Sequence, residues 1–251
     1  MKCLYEFTID QFFDFVESNK IDNWLIYDYS IEERHDAICN KEYYNTLKKM
    51  ANKNKISFNA PEIVSWIDGL AMLYTSIDYA IYDEESDLLD DLKIIGELHI
   101  PFSKCRADCV LVKDNKILVI EFSYKSNNQN RKELYETKLN QVIYYKELLS
   151  NALPKHIEIA TYSFPIEIET DKNGNPMYVM SDIENEKMYK NNDNCYYLGE
   201  FIKKFFKHTN KTALDELKNL DDTWLIKAKR KRKWINKNKF YLLCKGCKNH
   251  E

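Results

Sequence analysis

Along the first third of the chain, apolar positions recur with the period of helices. Residues 7–17 (FTIDQFFDFVE) form a short amphipathic pattern with the candidate cap Thr8, and residues 40–53 form a second one. The helical period is clearest from Asn59 onward, where Pro61 stands at a helix start and Glu62 in the first turn. A long helix is predicted there, and its apolar stripe comprises Ile63, Trp66, Ile67, Leu70, Leu73, Tyr74 and Ile77.

The middle of the chain changes to short apolar runs that are typical of strands. Three runs are predicted as strands, with a tight turn of residues 113–115 between the last two: 94–100, 106–112 and 116–124. The hairpin makes the second and third strands neighbours in a sheet.

A helix over residues 131–150, ended by Pro154, and a strand over 156–164 are predicted next. The order of elements is therefore α-β-β-β-α-β, which predicts an α/β (α+β) fold. The elements expected beyond it are a hairpin around 171–176 and helices over 197–208, 213–219 and 224–234.

No internal repeat is evident, and no linker rich in Pro, Gly or Ser divides the chain before the turn cluster at 171–176. One main domain is therefore predicted. It comprises accessory helices over 1–58, a core over 59–185, and C-terminal helices with a basic tail over 186–251.

Composition excludes two common classes of function. With 44% hydrophobic and 31% charged residues in 251, the chain can bury a sizeable core. Its five glycines are too widely spaced for a phosphate-binding P-loop or a dinucleotide-binding GxGxxG turn, since they stand at positions 69, 96, 174, 199 and 246. Neither P-loop ATP hydrolysis nor the usual Rossmann binding of dinucleotides is expected.

The cysteines and the apolar runs predict the compartment. Seven cysteines form an odd set without the close, even spacing of a secreted scaffold, which favours a reducing environment. Acidic residues interrupt the first ten positions, and no run approaches the roughly 18 apolar residues of a membrane span. We therefore expect a soluble, cytoplasmic protein without a membrane partner.

Charge is distributed unevenly behind a net value of −3. Residues 227–251 carry ten Lys or Arg and a single acid, whereas the rest of the chain is acidic. Clustered cations bind phosphate backbones, and interleaved aromatic rings can stack on bases. The candidate nucleic-acid-binding residues are Lys229, Arg230, Lys231, Arg232, Lys233 and Trp234. The alternative is that the tail is only a solubilising end.

The same tail ends in a CxxCxxH motif formed by Cys244, Cys247 and His250. Zinc prefers four such ligands, and Cys195 or Cys39 would have to supply the fourth. We do not expect zinc there.

Candidate chemistry begins with Glu121, which ends the apolar run ILVIEF. A carboxylate at the end of a buried strand loses solvation and needs a partner. Strand alternation places Glu121 on one face with Ser123 and Lys125, and the hairpin allows Asp108 to meet it. Two adjacent carboxylates suit Mg²⁺. Alternatively, Asp108 pairs with Arg106 or a lysine while Glu121 lies at the solvent edge.

The next predicted helix carries a polar stripe. Lys138, Gln141 and Tyr145 stand at i, i+3 and i+7, so they share one face of a helix that packs beside the hairpin. This stripe is a candidate phosphate contact, and its alternative is an ordinary solvated helix face.

Taken together, these positions resemble the PD-(D/E)XK nuclease superfamily. The resemblance lies in the order of a helix-borne acid, acids on three strands and a Q-x-x-x-Y helix: Glu62, Glu97 in GELHIPFS, Asp108 in CRADCVLV, Glu121 in VIEFSYK, and Gln141 with Tyr145 in QVIYY. Over roughly residues 4–165 the chain also resembles the nuclease-like domain that precedes a helicase module in some bacterial proteins.

The resemblance implies a restriction-endonuclease-like core and a nuclease that uses Mg²⁺ or Mn²⁺. The implied metal ligands are Glu97, Asp108 and Glu121, while Glu62 would hold a second metal or its water. Gln141 and Tyr145 would orient the nucleic-acid backbone. The expected substrate is DNA, in bacterial antiviral defence or alongside a helicase or ATPase on a separate chain.

One position departs from the pattern of that family. Ser123 stands where the E-x-K motif has lysine, and Lys125 or Lys138 would have to replace it. The alternative is a decayed site in a nucleic-acid-binding or scaffold subunit of the same fold. A third possibility is an unrelated acidic α/β protein that binds a partner.

Deleting residues 227–251 is expected to weaken nucleic-acid binding and to flatten its dependence on salt, because up to ten cationic contacts are removed. The measurement is the Kd for a labelled oligonucleotide at several salt concentrations. An affinity and salt slope equal to those of the full chain would show that the tail is only a solubilising end.

Overall fold

The computed structural model describes residues 1–21, 35–36, 38–81, 89–100, 105–125, 131–167 and 190–207. Within these ranges the protein is of mixed α/β class, as the sequence predicts. Its elements are β1 (Tyr5–Thr8), α1 (Ile9–Ser18), α2 (Glu42–Lys53), α3 (Ala60–Ile81), β2 (Lys93–His99), β3 (Arg106–Lys113), β4 (Lys116–Lys125), α4 (Arg131–Ala152), β5 (Glu158–Glu167) and α5 (Lys190–Phe206).

The five strands form one mixed sheet in the order β1-β2-β3-β4-β5. Neighbouring strands are antiparallel except for β4 and β5, which are parallel and are joined through α4. The predicted order α-β-β-β-α-β is confirmed from α3 to β5. The predicted hairpin is also confirmed, with Lys113 opposite Lys116 at its turn.

The N-terminal segment differs from its prediction as helices alone. A short strand, β1, comes first and pairs with β2 at the edge of the sheet. Helix α1 follows at once, because Thr8 and Gln11 form a capping box in which each side chain accepts a hydrogen bond from the other residue's backbone N–H. The predicted cap at Thr8 is confirmed, whereas Phe7, predicted as part of the helix, belongs to β1.

Strand β4 is buried on both faces of the sheet. Leu118, Ile120 and Phe122 pack into a core shared with α1, α2, α3 and α5. The alternate residues Ile117 and Val119 pack into a second core on the α4 side, together with Tyr144, Tyr145, Leu149 and Leu153. This double burial explains the nearly continuous apolar run in the sequence, and Glu121 interrupts it on the α4 side.

Helix α5 starts earlier than the predicted 197–208 and packs against α3. Gly199 lies at this contact, where an added Cβ would stand 2.6 Å from the Ser76 carbonyl oxygen and 2.9 Å from Tyr79 Cβ. The hairpin expected around 171–176 and the helices expected over 213–219 and 224–234 lie outside the described residues. No helix in the described ranges is both long enough and apolar enough to span a bilayer.

Gly199→Ala is expected to lower the free energy of unfolding by about 1–3 kcal/mol, because the added methyl group meets the backbone of α3. Gly69→Ala is the matched control, since its Cβ would lie 3.2 Å from the Phe122 ring, which can shift slightly. Both substitutions gain about 1 kcal/mol of helix propensity. Urea denaturation measures the difference, and equal stability of the two variants would contradict the close α3–α5 contact.

Candidate active site

Asp108 and Glu121 lie on adjacent strands, just beyond the last registered pair of β3 and β4, Cys109 opposite Ile120. The two carboxylates make reciprocal contacts across this point. The Asp108 N–H donates to Glu121 Oε1 at 3.0 Å, and the Phe122 N–H donates to Asp108 Oδ2 at 2.8 Å. Each side chain thus satisfies a backbone donor of the opposite strand, which holds the two acids together.

Lys138 projects from α4 to both carboxylates. Its Nζ lies 3.0 Å from Glu121 Oε2 and 3.9 Å from Asp108 Oδ2. One cationic group therefore contacts both acids, so their oxygens lie within reach of a single cation.

The charges in this cluster depend on one another. Burial raises the pKa of Glu121, which is fully buried; Asp108 raises it further, and Lys138 opposes the shift. Burial lowers the pKa of the Lys138 ammonium, but Asp108 and Glu121 more than offset it and leave that pKa raised. Even with Lys138 beside it, the pKa of Glu121 is raised to about 8, because burial and Asp108 outweigh the ammonium.

A second cluster joins the start of α3 to β2 and β3. Glu62 and Asn59 form a capping box, with Glu62 Oε2 accepting from the Asn59 N–H at 2.8 Å and Asn59 Oδ1 accepting from the Glu62 N–H at 2.9 Å. Arg106 donates to Glu62 Oε1, to the Ser57 carbonyl oxygen at 3.2 Å, and pairs with Glu97 Oε2 at 3.4 Å. Arg106 thus binds Glu62 and Glu97.

Glu97 reaches this cluster from an unusual backbone conformation, since its φ is 52° within β2. Burial raises the pKa of its carboxyl group, Asp108 adds to the shift, and Arg106 counters it. Glu97 and Asp108 also line a small cavity together with Tyr5 and residues of α3, among them Ser65 and Trp66. The cavity has room for about one water molecule.

Gln141 and Tyr145 attach α4 to β3. Gln141 Nε2 donates to the Tyr145 hydroxyl, and this hydroxyl donates to the Arg106 carbonyl oxygen at 3.1 Å. Tyr145 is fully buried, and burial raises the pKa of its phenol. The two residues hold the helix that carries Lys138 against the strand that carries Asp108, which makes them positioning residues in this arrangement.

The structure describes only one of the two candidate replacements for the missing lysine. Lys125 is the last residue of β4, and its side chain lies outside the described residues. Ser123 is buried, and its hydroxyl contacts the Phe164 carbonyl oxygen at 3.5 Å. Lys138 is therefore the lysine that the described structure places at the carboxylates.

The remaining candidates are the basic tail and the possible zinc ligands, and most of them lie outside the described residues. The basic residues Lys229 to Trp234 and the motif of Cys244, Cys247 and His250 lie outside the described ranges. Cys195, a candidate for the fourth zinc ligand, is buried with its Sγ 3.5 Å from the Met72 carbonyl oxygen.

Three residues near the site have contacts that the sequence does not predict. Arg106, the alternative partner of Asp108, binds Glu62 and Glu97 instead. Tyr5 of β1 covers Gly96, where an added Cβ would lie 2.3 Å from the Tyr5 ring. The alternating YEFT segment is the sequence signal that could have revealed β1. Ser163, in register with Glu121, has a buried hydroxyl without a hydrogen-bond partner among the described residues.

Carboxylate oxygens suit hard cations such as Mg²⁺ and Mn²⁺ better than zinc, which prefers sulfur and imidazole ligands. Among the described residues, no three His, Cys, Asp or Glu side chains converge to hold a metal between them. Mg²⁺ commonly uses one or two carboxylates and keeps several waters, and Asp108 with Glu121 offers two carboxylates. The Lys138 contacts show that a positive charge is already favourable at this position.

Comparisons with known proteins do not identify the chain. No protein-family model matches it, and searches of curated proteins and of solved structures found no match. A functional proposal therefore rests on the side chains and their geometry.

Tyr145→Phe is expected to lower the free energy of unfolding by about 1–2 kcal/mol, because it leaves the Arg106 carbonyl and the Gln141 amide without their partner. Tyr196→Phe, which removes a hydroxyl from a half-exposed ring on α5, serves as the control and should change stability by less than about 0.5 kcal/mol. Urea denaturation of both variants provides the comparison. Wild-type stability of Tyr145→Phe would show that these hydrogen bonds do not anchor α4.

Proposed function

We propose that the protein is a metal-dependent nuclease of the PD-(D/E)XK type that hydrolyses phosphodiester bonds in DNA. The observation that carries the proposal is the grouping of Asp108, Glu121 and Lys138 at the end of the β3–β4 ladder. Two carboxylates for a hard cation and one lysine for phosphate charge are the groups that metal-assisted phosphodiester hydrolysis requires.

The arrangement of elements supports the same assignment. A helix, an antiparallel three-stranded meander, a second helix and a parallel strand follow one another from α3 to β5. This order is the one expected of a restriction-endonuclease-like core, and the acids occupy the strands that the resemblance assigns to them. The proposal thus requires no residue from outside the described elements for its central chemistry.

Each residue has a distinct part in the proposed mechanism. Asp108 and Glu121 would hold Mg²⁺ or Mn²⁺, which when bound lowers the pKa of a water and neutralises phosphoryl oxygens. The Lys138 ammonium would stabilise the negative charge that develops on the phosphate in the transition state. Gln141 and Tyr145 hold α4, so they fix the helix from which Lys138 reaches the site.

Glu62 and Glu97 contribute indirectly in this arrangement. Both bind Arg106, which fixes the start of α3 and the acid on β2 beside the start of β3. We assign them as positioning residues that shape the negative environment around Asp108. Glu97 and Asp108 also line the same small cavity, which has room for about one water molecule.

The lysine position separates this chain from the usual E-x-K pattern. The motif position that usually holds lysine is occupied by the buried Ser123. Lys138 comes from the helix after the strand that carries the motif, and its ammonium donates to Glu121. We propose Lys138 rather than Lys125 as the replacement, because its ammonium contacts Glu121. The partners we propose are DNA, bound in part through the basic tail, and a separate helicase or ATPase in a bacterial antiviral system.

A second function is favoured by the same ion pair. Lys138 already neutralises a buried carboxylate, as a stable inactive site would require. The protein would then be a nucleic-acid-binding or scaffold subunit of the same fold that does not cleave its ligand.

The test is cleavage of linear, circular and single-stranded DNA with Mg²⁺, Mn²⁺ or EDTA. Glu121→Gln is expected to abolish metal-dependent cleavage, because it removes the charge of a metal ligand while keeping the shape of the side chain. The control is Glu147→Gln, an exposed acid on α4, which should cleave as the wild type does. Cleavage that persists in Glu121→Gln would place the chemistry elsewhere.

The Ser123→Lys variant distinguishes an active nuclease from a binding subunit of the same fold that does not cleave. Cleavage by the wild-type protein supports the nuclease. Cleavage that arises only in Ser123→Lys would identify the natural protein as the inactive binding subunit, because restoring the motif would then have restored the missing group.

A further inference from the structure

Lys138 lies at the position that a divalent cation would need, since it contacts both Glu121 and Asp108. We propose that Lys138 is an intrinsic counter-ion that competes with the divalent cation for these carboxylates and so limits the affinity of the site for metal. The inference rests on the proposed function. It adds that Lys138 takes two positions. Without a metal its ammonium binds the carboxylates, and with a metal bound it moves away from them.

The competition follows from how the oxygens are used. Glu121 Oε1 accepts the Asp108 N–H, so Oε2 remains for a cation, and Lys138 occupies it at 3.0 Å. Asp108 Oδ2 likewise accepts the Phe122 N–H and faces the same ammonium. A divalent cation bound to these oxygens would be within a few ångströms of Nζ, where two positive charges repel strongly in a buried environment.

Lys138 has to move when a divalent cation binds, because its ammonium occupies the position between the two carboxylates. The backbone of α4 is held to β3 through Gln141 and Tyr145, which leaves the flexible four-carbon side chain as the part that can move. The released ammonium is then available to a phosphate group.

Arg106 is not a competitor of this kind, although it is also a cation near the acids in the described part of the chain. Its guanidinium is bound by Glu62, by Glu97 and by the Ser57 carbonyl oxygen. These contacts lie on the α3 side and do not use the oxygens of Glu121. Among the cationic side chains that the structure describes, the competition is therefore specific to Lys138.

The experiment is a titration of the full chain with Mn²⁺ in the absence of nucleic acid. Binding is measured by calorimetry and by the EPR signal of free Mn²⁺. Lys138→Met is expected to bind Mn²⁺ at least about tenfold more tightly than the wild type, because the competing charge is gone. Lys146→Met removes an exposed lysine from the same helix and should stay within about twofold of the wild type. Lys138→Gln provides a neutral polar variant in case Lys138→Met does not fold.

The outcomes separate this inference from the proposed function. Tighter Mn²⁺ binding by Lys138→Met or Lys138→Gln, lost again when Glu121→Gln is added, supports the competition. Equal or weaker binding by both neutral variants, beside a wild type that does bind Mn²⁺, overturns the competition and leaves the nuclease proposal standing. If neither the wild type nor the variants bind Mn²⁺, both proposals are wrong.

Discussion

The burial of one carboxylate, that of Glu121, determines how the rest of the site is built. A negative charge inside a protein has to be compensated by hydrogen bonds and by a cation, or it takes up a proton. Here the Asp108 N–H supplies the hydrogen bond and Lys138 supplies the charge. Both partners come from other elements, so β3, β4 and α4 must meet at one point to compensate the buried Glu121 carboxyl group.

The surrounding packing makes this meeting point rigid. The two faces of β4 are covered by separate apolar cores, and the Glu121 side chain is fully buried between its neighbours, whereas Asp108 and Lys138 beside it are partly exposed. Helix α4 is fastened to β3 by the Tyr145 hydroxyl, and α3 is fastened through Glu62 and Arg106. The same contacts that stabilise the fold thus place two acids and a lysine together, and such preorganised charges are what phosphoryl-transfer chemistry uses.

Much of the fold could be predicted because local signals agree with it. The helix period from Asn59, the tight turn between β3 and β4, and the Thr8 cap all specify elements that the structure contains. Strand β1 was missed, since its alternating pattern covers only four residues directly before a strong helix start. Its pairing with β2 is a long-range contact that no local propensity encodes.

The sequence by itself determined the α/β order, the pairing of the strands that carry Asp108 and Glu121, and the shared helix face of Lys138, Gln141 and Tyr145. Strand and helix periods are local properties, and they decide which side chains share a face. Only the tertiary structure decided that Lys138 contacts Glu121 and that Arg106 binds Glu62 and Glu97. Those choices depend on how α3 and α4 pack on the sheet, and packing joins residues that are far apart in the chain.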